Sequence, residues 1–172
     1  MRIKTATRAL NVLGPLVVVA VVWSIFSGNG PLFVARVLTT ATALLLAVGP
    51  PLIDFNESHA TNPDWPPHAR FHVVWQVLAQ SATGLLAVAL LWLWPSTQSL
   101  WLAMGLNYIW LFCFYFAMAS MSLYEGSLAD PRGVPPIEVS LFGKVAVIDR
   151  NLAVVSILSV VNTAAAVLVF RS

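Results

Sequence analysis

A stretch without any Asp, Glu, Lys or Arg runs from Phe71 to Tyr124, and it constrains the fold more than any other feature of the chain. The stretch covers 54 residues, whereas about 20 apolar residues are enough for a helix to cross the hydrocarbon core of a bilayer. The chain must therefore turn inside it, and the proline-containing segment from Trp94 to Ser99 is the only plausible turn. Two transmembrane helices are predicted, at about 66–94 and 100–124.

Three further apolar segments, at about 9–27, 32–53 and 137–170, bring the prediction to five transmembrane helices. Pro50 and Pro51 close the second of them, which is expected to end at about residue 53. The composition agrees, because 59% of the 172 residues are hydrophobic and only 9% are charged, against about 25% charged in average soluble domains. We therefore predict an all-α, polytopic transmembrane helix bundle that forms a single domain over residues 1–172.

The positions of the basic residues predict the orientation of the bundle. Short loops rich in Lys and Arg stay on the cytoplasmic side of a membrane. With five spans and a cytoplasmic N-terminus, seven of the nine basic residues lie inside, together with all seven carboxylates and all three histidines. We expect a multi-pass protein whose active face is cytoplasmic. The few scattered basic residues exclude nucleic acid as a partner, which leaves membrane lipids and a hydrophobic small molecule.

The densest group of polar residues lies between the second and third helices. His68 and His72 are one turn apart at the start of the third helix, where the helix dipole favours neutral imidazole, the form that binds metals and acts as a base. Together with His59 they match the ligand types of zinc, copper or non-haem iron sites. The cofactor stays unknown, and a divalent metal held by His59, His68 and His72 is one hypothesis.

A polar stripe continues from these histidines along the third helix and is expected to face the bundle interior, because polar groups that face lipid are unfavourable. The fourth helix adds Asn107 and Glu125, which are five helical turns apart and so share a face. The result would be a pocket with a polar mouth and an apolar interior, suited to an amphiphilic substrate. Its predicted lining residues are Gln76, Gln80, Asn107, Met118, Met121 and Asp149.

Two chemistries and one non-enzymatic role remain open for this pocket. In the first, Glu125, His72, Asp54 and Glu57 act as acids and bases that isomerise or cyclise an isoprenoid, sterol-like or lipid substrate. In the second, the three histidines hold a catalytic metal. We expect His59, His68, His72 and Glu125 to converge on one site under either chemistry. The alternative is a lipid-binding or transport protein, and a purely structural role for the cluster is a third interpretation.

The segment between Asp54 and His72 carries a resemblance to a known group of proteins. The pattern Asp54-x-Asn56-x-Ser58-His59, followed by Asn62-Pro63-x-Trp65-Pro66-Pro67-His68-Ala69-Arg70-Phe71-His72, resembles a family of small, uncharacterised polytopic membrane proteins. This resemblance implies a shared site at the inner face but names no reaction. The chain is more distantly similar to sterol isomerase and sigma-2-receptor-like proteins and to membrane terpene cyclases. The similarity lies in chain length and in the combination of acidic residues with an apolar pocket.

Overall fold

The computed structural model describes residues 3–129, 133, 135–141 and 144–172. The helices are α1 (Ile3–Phe26), α2 (Pro31–Asp54), α3 (Pro67–Leu93), α4 (Thr97–Ala119) and α5 (Arg150–Phe170). Four of them, α2 to α5, are long and apolar enough to cross a membrane, and the apolar part of α1 covers Gly14–Phe26. The predicted all-α bundle of long apolar helices is confirmed, with four helices able to span a membrane, and the fifth span, assigned to α1, stays a prediction.

The predicted turn between the third and fourth helices is confirmed, and a hydroxyl cap marks its end. The Ser96 side chain accepts a hydrogen bond from the Ser99 backbone N–H at 3.1 Å, which satisfies one of the free N–H groups at the start of α4. The long uncharged stretch is therefore divided into two membrane-spanning helices at the place where the sequence has its only strong turn signal.

The second helix has nearly the predicted bounds, Pro31–Asp54 against about 32–53, and it contains both Pro50 and Pro51 near its end. Proline has no N–H, so Pro51 leaves the carbonyl of Ala47 without its usual helical donor. Ser81 of α3 supplies the missing hydrogen bond through its hydroxyl, with 2.7 Å between the two oxygens. Membrane helices tolerate proline when a neighbouring side chain satisfies the freed carbonyl in this way.

The fourth helix ends five residues before its predicted end at Tyr124. The hydroxyl of Ser120 bonds back to the carbonyl of Phe116 at 2.8 Å, and the chain then tightens into a short 3₁₀ helix, Met121–Leu123. It next turns at Glu125, whose φ of 54° is in the left-handed region. Glu125 therefore lies outside the helix, and the argument that placed it on one helical face with Asn107 does not hold.

The prediction of a helix from residue 137 is also wrong over its first thirteen residues. Two strands, β1 (Ile137–Leu141) and β2 (Lys144–Ile148), form an antiparallel hairpin, and α5 begins only after it, at Arg150. The reason is visible in the sequence, because apolar and polar residues alternate along β1 and β-branched residues are frequent in both strands. Asp149 caps α5 by accepting a hydrogen bond from the Leu152 N–H at 3.0 Å.

Helix α2 is the centre of the bundle and packs against each of the other four helices. Its core positions are small, among them Ala35, Ala43 and Ala47, all nearly inaccessible. Gly84 of α3 lies directly against this surface. A Cβ atom at Gly84 would come within 2.6 Å of the Ala43 carbonyl oxygen and 2.8 Å of the Ala47 Cβ. Small residues let two helix backbones approach closely, which is a common way for membrane helices to associate.

A second set of interhelical contacts is polar and fully buried. Asn107 of α4 donates to Asn162 Oδ1 at 3.0 Å and to the Thr39 carbonyl at 3.2 Å, and Asn162 of α5 donates to the Met104 carbonyl at 3.2 Å. Both asparagines are at most 1% exposed. The two amides therefore connect α4 with α2 and α5 inside the bundle.

We expect these two asparagines to be energetically coupled. A double-mutant cycle with Asn107→Ala and Asn162→Ala, measured by unfolding in detergent, should give a coupling free energy of roughly 0.6–1.7 kcal/mol, the range found for hydrogen bonds between membrane helices. The matched cycle pairs Asn107→Ala with Ser81→Ala. Asn107 bonds to Thr39 and Ser81 bonds to Ala47, and these two residues of α2 are about 12 Å apart along the helix. The effects of Asn107→Ala and Ser81→Ala on the free energy of unfolding should therefore add. Additive effects in the first cycle would contradict the prediction.

Candidate functional site

The segment between α2 and α3 is a compact loop held by its own side chains. The Asn56 side-chain oxygen accepts hydrogen bonds from the backbone N–H of Ser58 at 2.9 Å and from the Ser58 hydroxyl at 2.8 Å. Further along, the Asn62 amide donates to the Ser58 carbonyl at 3.1 Å. These three side chains are buried. Buried and mutually bonded polar groups fix a single conformation, so the loop presents the residues around it in a defined geometry.

His59 stands at the centre of this loop. Its Nδ1 atom lies 2.7 Å from the Ser58 hydroxyl oxygen and 3.6 Å from an oxygen of the Asp54 carboxylate. The Trp65 ring meets the imidazole edge to face, with 5.4 Å between the ring centroids. About 30% of the His59 side chain stays exposed, so the ring is held firmly on one side and reachable on the other.

The hydrogen bonds determine which nitrogen of His59 carries the proton. The amide of Asn56 is oriented by its own donation to the Ile53 carbonyl and by the Ser58 N–H at its oxygen. The only hydrogen on the Ser58 hydroxyl is then used toward the Asn56 oxygen, so the hydroxyl must accept from His59. In the neutral ring, Nδ1 is therefore the protonated nitrogen and Nε2 keeps its lone pair.

This arrangement differs from the catalytic triad of a serine hydrolase. In such a triad the carboxylate and the hydroxyl bind opposite nitrogens of the imidazole. Here the Asp54 carboxylate and the Ser58 hydroxyl both face Nδ1. Ser58 is also only 1% exposed, so it has no access to a substrate carbonyl. The serine holds Nδ1 of the histidine, and Nε2 is the nitrogen that neither of these two groups faces.

The three histidines do not come together as the sequence predicted. His68 and His72 contact each other, with 3.1 Å between their Nε2 atoms, whereas His59 contacts Asp54, Ser58 and Trp65. Within the described ranges, no group of three or more His, Cys, Asp or Glu side chains is placed to hold a metal ion. Glu57 and Glu125 are both exposed.

The polar stripe on α3 does not face the bundle interior over its first part, and that expectation is wrong for His68, His72 and Gln76, which are all exposed. Gln80 is half-buried, and only Gly84 is fully inside. These three residues lie in the first three turns of α3, at the end of the helix that follows the loop.

The remaining predicted pocket residues have other positions. Asn107 is buried in the contact with α2 and α5, Met118 and Met121 are half-buried, and Asp149 caps α5.

Asn56 and Ser58, by contrast, had no predicted role. An asparagine two residues before a serine is the spacing of an Asx-turn, and this signal could have indicated the ordered loop.

The bundle of membrane-spanning helices, with one ordered polar loop at the end of α2, defines a polytopic helical membrane protein. The chain belongs to the family described as "Family of unknown function (DUF6640)", which matches residues 38–164. That range contains the loop and most of the four membrane-spanning helices. No curated protein and no solved structure matches the chain. Membership of an uncharacterised family is thus confirmed, and the likeness to sterol isomerases and terpene cyclases stays a prediction.

Proposed function

We propose that this protein is a membrane-embedded enzyme that isomerises a hydrophobic, isoprenoid- or sterol-like substrate by acid–base chemistry, with His59 as the base. One observation carries the proposal: the Asn56–Ser58 network leaves the lone pair on Nε2 of His59, while the Asp54 carboxylate lies 3.6 Å from Nδ1. A histidine with one nitrogen fixed and the other free is the usual form of a general base.

The proposed step is a proton transfer that needs no oxidant and no other reactant. Nε2 of His59 removes a proton from a carbon next to a carbonyl of the substrate, and the imidazolium that forms is stabilised by the Asp54 carboxylate. The proton, or one from water that has exchanged with it, returns to another carbon of the same molecule. The loop lies at the end of a membrane-spanning helix, so the polar end of the substrate reaches His59 while its apolar part stays in lipid.

Exchange with heavy water tests this proposal even though the substrate is not identified. The full chain is reconstituted into vesicles made from lipids extracted from the organism that produces it. The vesicles are incubated in D₂O, and their lipids are then analysed by mass spectrometry. At least one carbonyl-containing isoprenoid or sterol-like species should gain carbon-bound deuterium that is absent from protein-free vesicles. Identical isotope patterns in both samples would contradict the proposal.

A second function, binding of a lipid without catalysis, is favoured by a different part of the molecule. An apolar groove of about 840 Å³ lies between the end of α1, α2 and α5, and it is lined by residues such as Ile25, Leu38 and Val160. Pockets that bind small molecules commonly have volumes of about 300–1,000 Å³. This function predicts a lipid acyl or isoprenoid chain that copurifies with the protein and is lost in Leu38→Trp, which fills the groove.

We also propose that the loop between α2 and α3 faces the cytoplasm, as the distribution of basic residues indicates. Cysteine labelling tests this orientation in a background where Cys113, which is exposed, is replaced by alanine. Thr61→Cys in this loop should react with a membrane-impermeant reagent only from the cytoplasmic side. Gln98→Cys, in the first turn of α4, should react only from the opposite side.

Both labelling positions are exposed, and neither side chain belongs to the loop network or to the Ser96 cap. Labelling of the two cysteines from the same side would contradict a membrane-spanning α3. Labelling from opposite sides in the reverse sense would contradict the cytoplasmic assignment alone.

A further inference from the structure

His68 and His72 form a second histidine site that the proposed acid–base chemistry does not use. Both side chains are exposed on the first two turns of α3, and they contact each other rather than His59. Pro66 and Pro67 precede them and fix the start of the helix. The pair therefore lies on rigid backbone, close to the membrane surface.

The distance between the two Nε2 atoms is close to that between two nitrogen ligands on one metal ion. The Nε2 atoms are 3.1 Å apart. Two imidazole nitrogens bound to a tetrahedral zinc ion at about 2.0–2.1 Å are separated by roughly 3.3 Å. The two nitrogens are therefore close enough to bind one ion once the rings, now edge to face with 86° between their planes, turn so that both lone pairs point toward it.

Two aromatic rings lie beside the imidazoles. The Phe71 ring is nearly parallel to that of His68, with 6.3 Å between the ring centroids, and the Trp75 ring centroid lies 5.9 Å from that of His72. Without an ion, the two Nε2 atoms must share one hydrogen, so one histidine donates and the other accepts. A divalent ion can replace this hydrogen and bind both nitrogens, because binding of a metal to imidazole releases the proton.

We propose that His68 and His72 form a two-histidine site for a divalent transition-metal ion of the zinc or copper class. The remaining coordination positions are open to water, because both histidines are exposed. Imidazole is a preferred ligand of zinc, copper and nickel, whereas magnesium and calcium prefer oxygen, so the site selects the former group. This inference does not depend on the proposed function, which rests on Asp54 and His59.

Titration of the purified full chain with Cu²⁺ and Zn²⁺ chloride tests the site. The protein carries an affinity tag without histidine and is kept in detergent micelles. We expect one saturable ion per chain, and a Cu²⁺ paramagnetic resonance spectrum with two coordinated imidazole nitrogens. His68→Ala and His72→Ala should each weaken binding at least about tenfold, because even residues that only support a ligand contribute ten- to a hundredfold.

The exposed Gln76, one turn further along the same helix face, provides the matched control, and Gln76→Ala should bind as tightly as the wild type. Thermal unfolding of each variant without metal shows whether the bundle is intact. Metal affinity that is unchanged in both single histidine variants, or a Cu²⁺ spectrum with only one imidazole in the wild type, would overturn the proposal. Asp54→Asn should retain the site, which separates this test from that of the proposed enzyme.

Discussion

Replacement of Gly84 by leucine is expected to push α3 away from α2 and to cause a large loss of stability. Even the first atom of a side chain at this position would lie 2.6 Å from the Ala43 carbonyl oxygen, which belongs to the backbone and cannot move aside. Extra atoms in a packed core cost about 1–3 kcal/mol, and more when the backbone must shift. Unfolding in detergent, followed by circular dichroism, measures the change in the free energy of unfolding.

Gly105 supplies the matched control for this substitution. It lies in α4 and is exposed, and a Cβ atom there would meet no atom within 4 Å. Gly105→Leu should therefore leave stability unchanged or raise it slightly, because leucine is the better helix former. Equal stability of the Gly84→Leu and Gly105→Leu proteins would show that close contact between α2 and α3 does not hold the bundle together.

The second large effect is expected on catalysis, in the deuterium exchange reaction. His59→Ala removes the proposed base and should lower deuterium incorporation by about 10²–10⁴-fold, the usual contribution of general acid–base catalysis. Asp54→Asn keeps the size of the side chain but removes the charge that stabilises the imidazolium, so its rate should lie between those of the wild type and His59→Ala. Mass spectrometry of the reconstituted vesicles measures all three rates.

Glu57→Gln is the control for these two variants. Glu57 belongs to the same loop, but its carboxylate is exposed, so the exchange rate should match that of the wild type. A His59→Ala protein that is as active as Glu57→Gln would exclude His59 as the base. The same comparison tests the catalytic role that the sequence predicts for Glu57.

The membrane-spanning architecture was predictable because the bilayer requires long apolar helices. The uncharged stretch from Phe71 to Tyr124 and its single turn signal placed α3 and the start of α4 within about three residues. The β-hairpin before α5 was missed because the segment was assigned by its overall hydropathy, whereas the alternation of apolar and polar residues along β1 is the signal of a strand. The sequence could not show how α2 accommodates its two prolines, since the hydroxyl that bonds to the Ala47 carbonyl comes from another helix.

The sequence predicted where the polar residues of the candidate site lie, but not which of them contact one another. The sequence indicated that the segment from Asp54 to His72 carries the polar chemistry, and Asp54 and His59 do meet there. Helical spacing correctly paired His68 with His72. It could not show that these two histidines face outward, because the inward face of α3 is set by the close approach of Gly84 to α2. Nor does spacing reveal that Ser58 and Asn56 determine the tautomer of His59.

The central claim is that the loop presents the unprotonated Nε2 atom of His59. Nitrogen-15 NMR of the full chain labelled at histidine tests it most directly, because the chemical shifts of the two ring nitrogens distinguish the tautomers. The His59 signals, assigned by their loss in His59→Ala, should show a protonated Nδ1 and an unprotonated Nε2 at a pH where the ring is neutral. In Ser58→Ala this preference should weaken. A neutral ring with its proton on Nε2 in the wild-type protein would contradict the account.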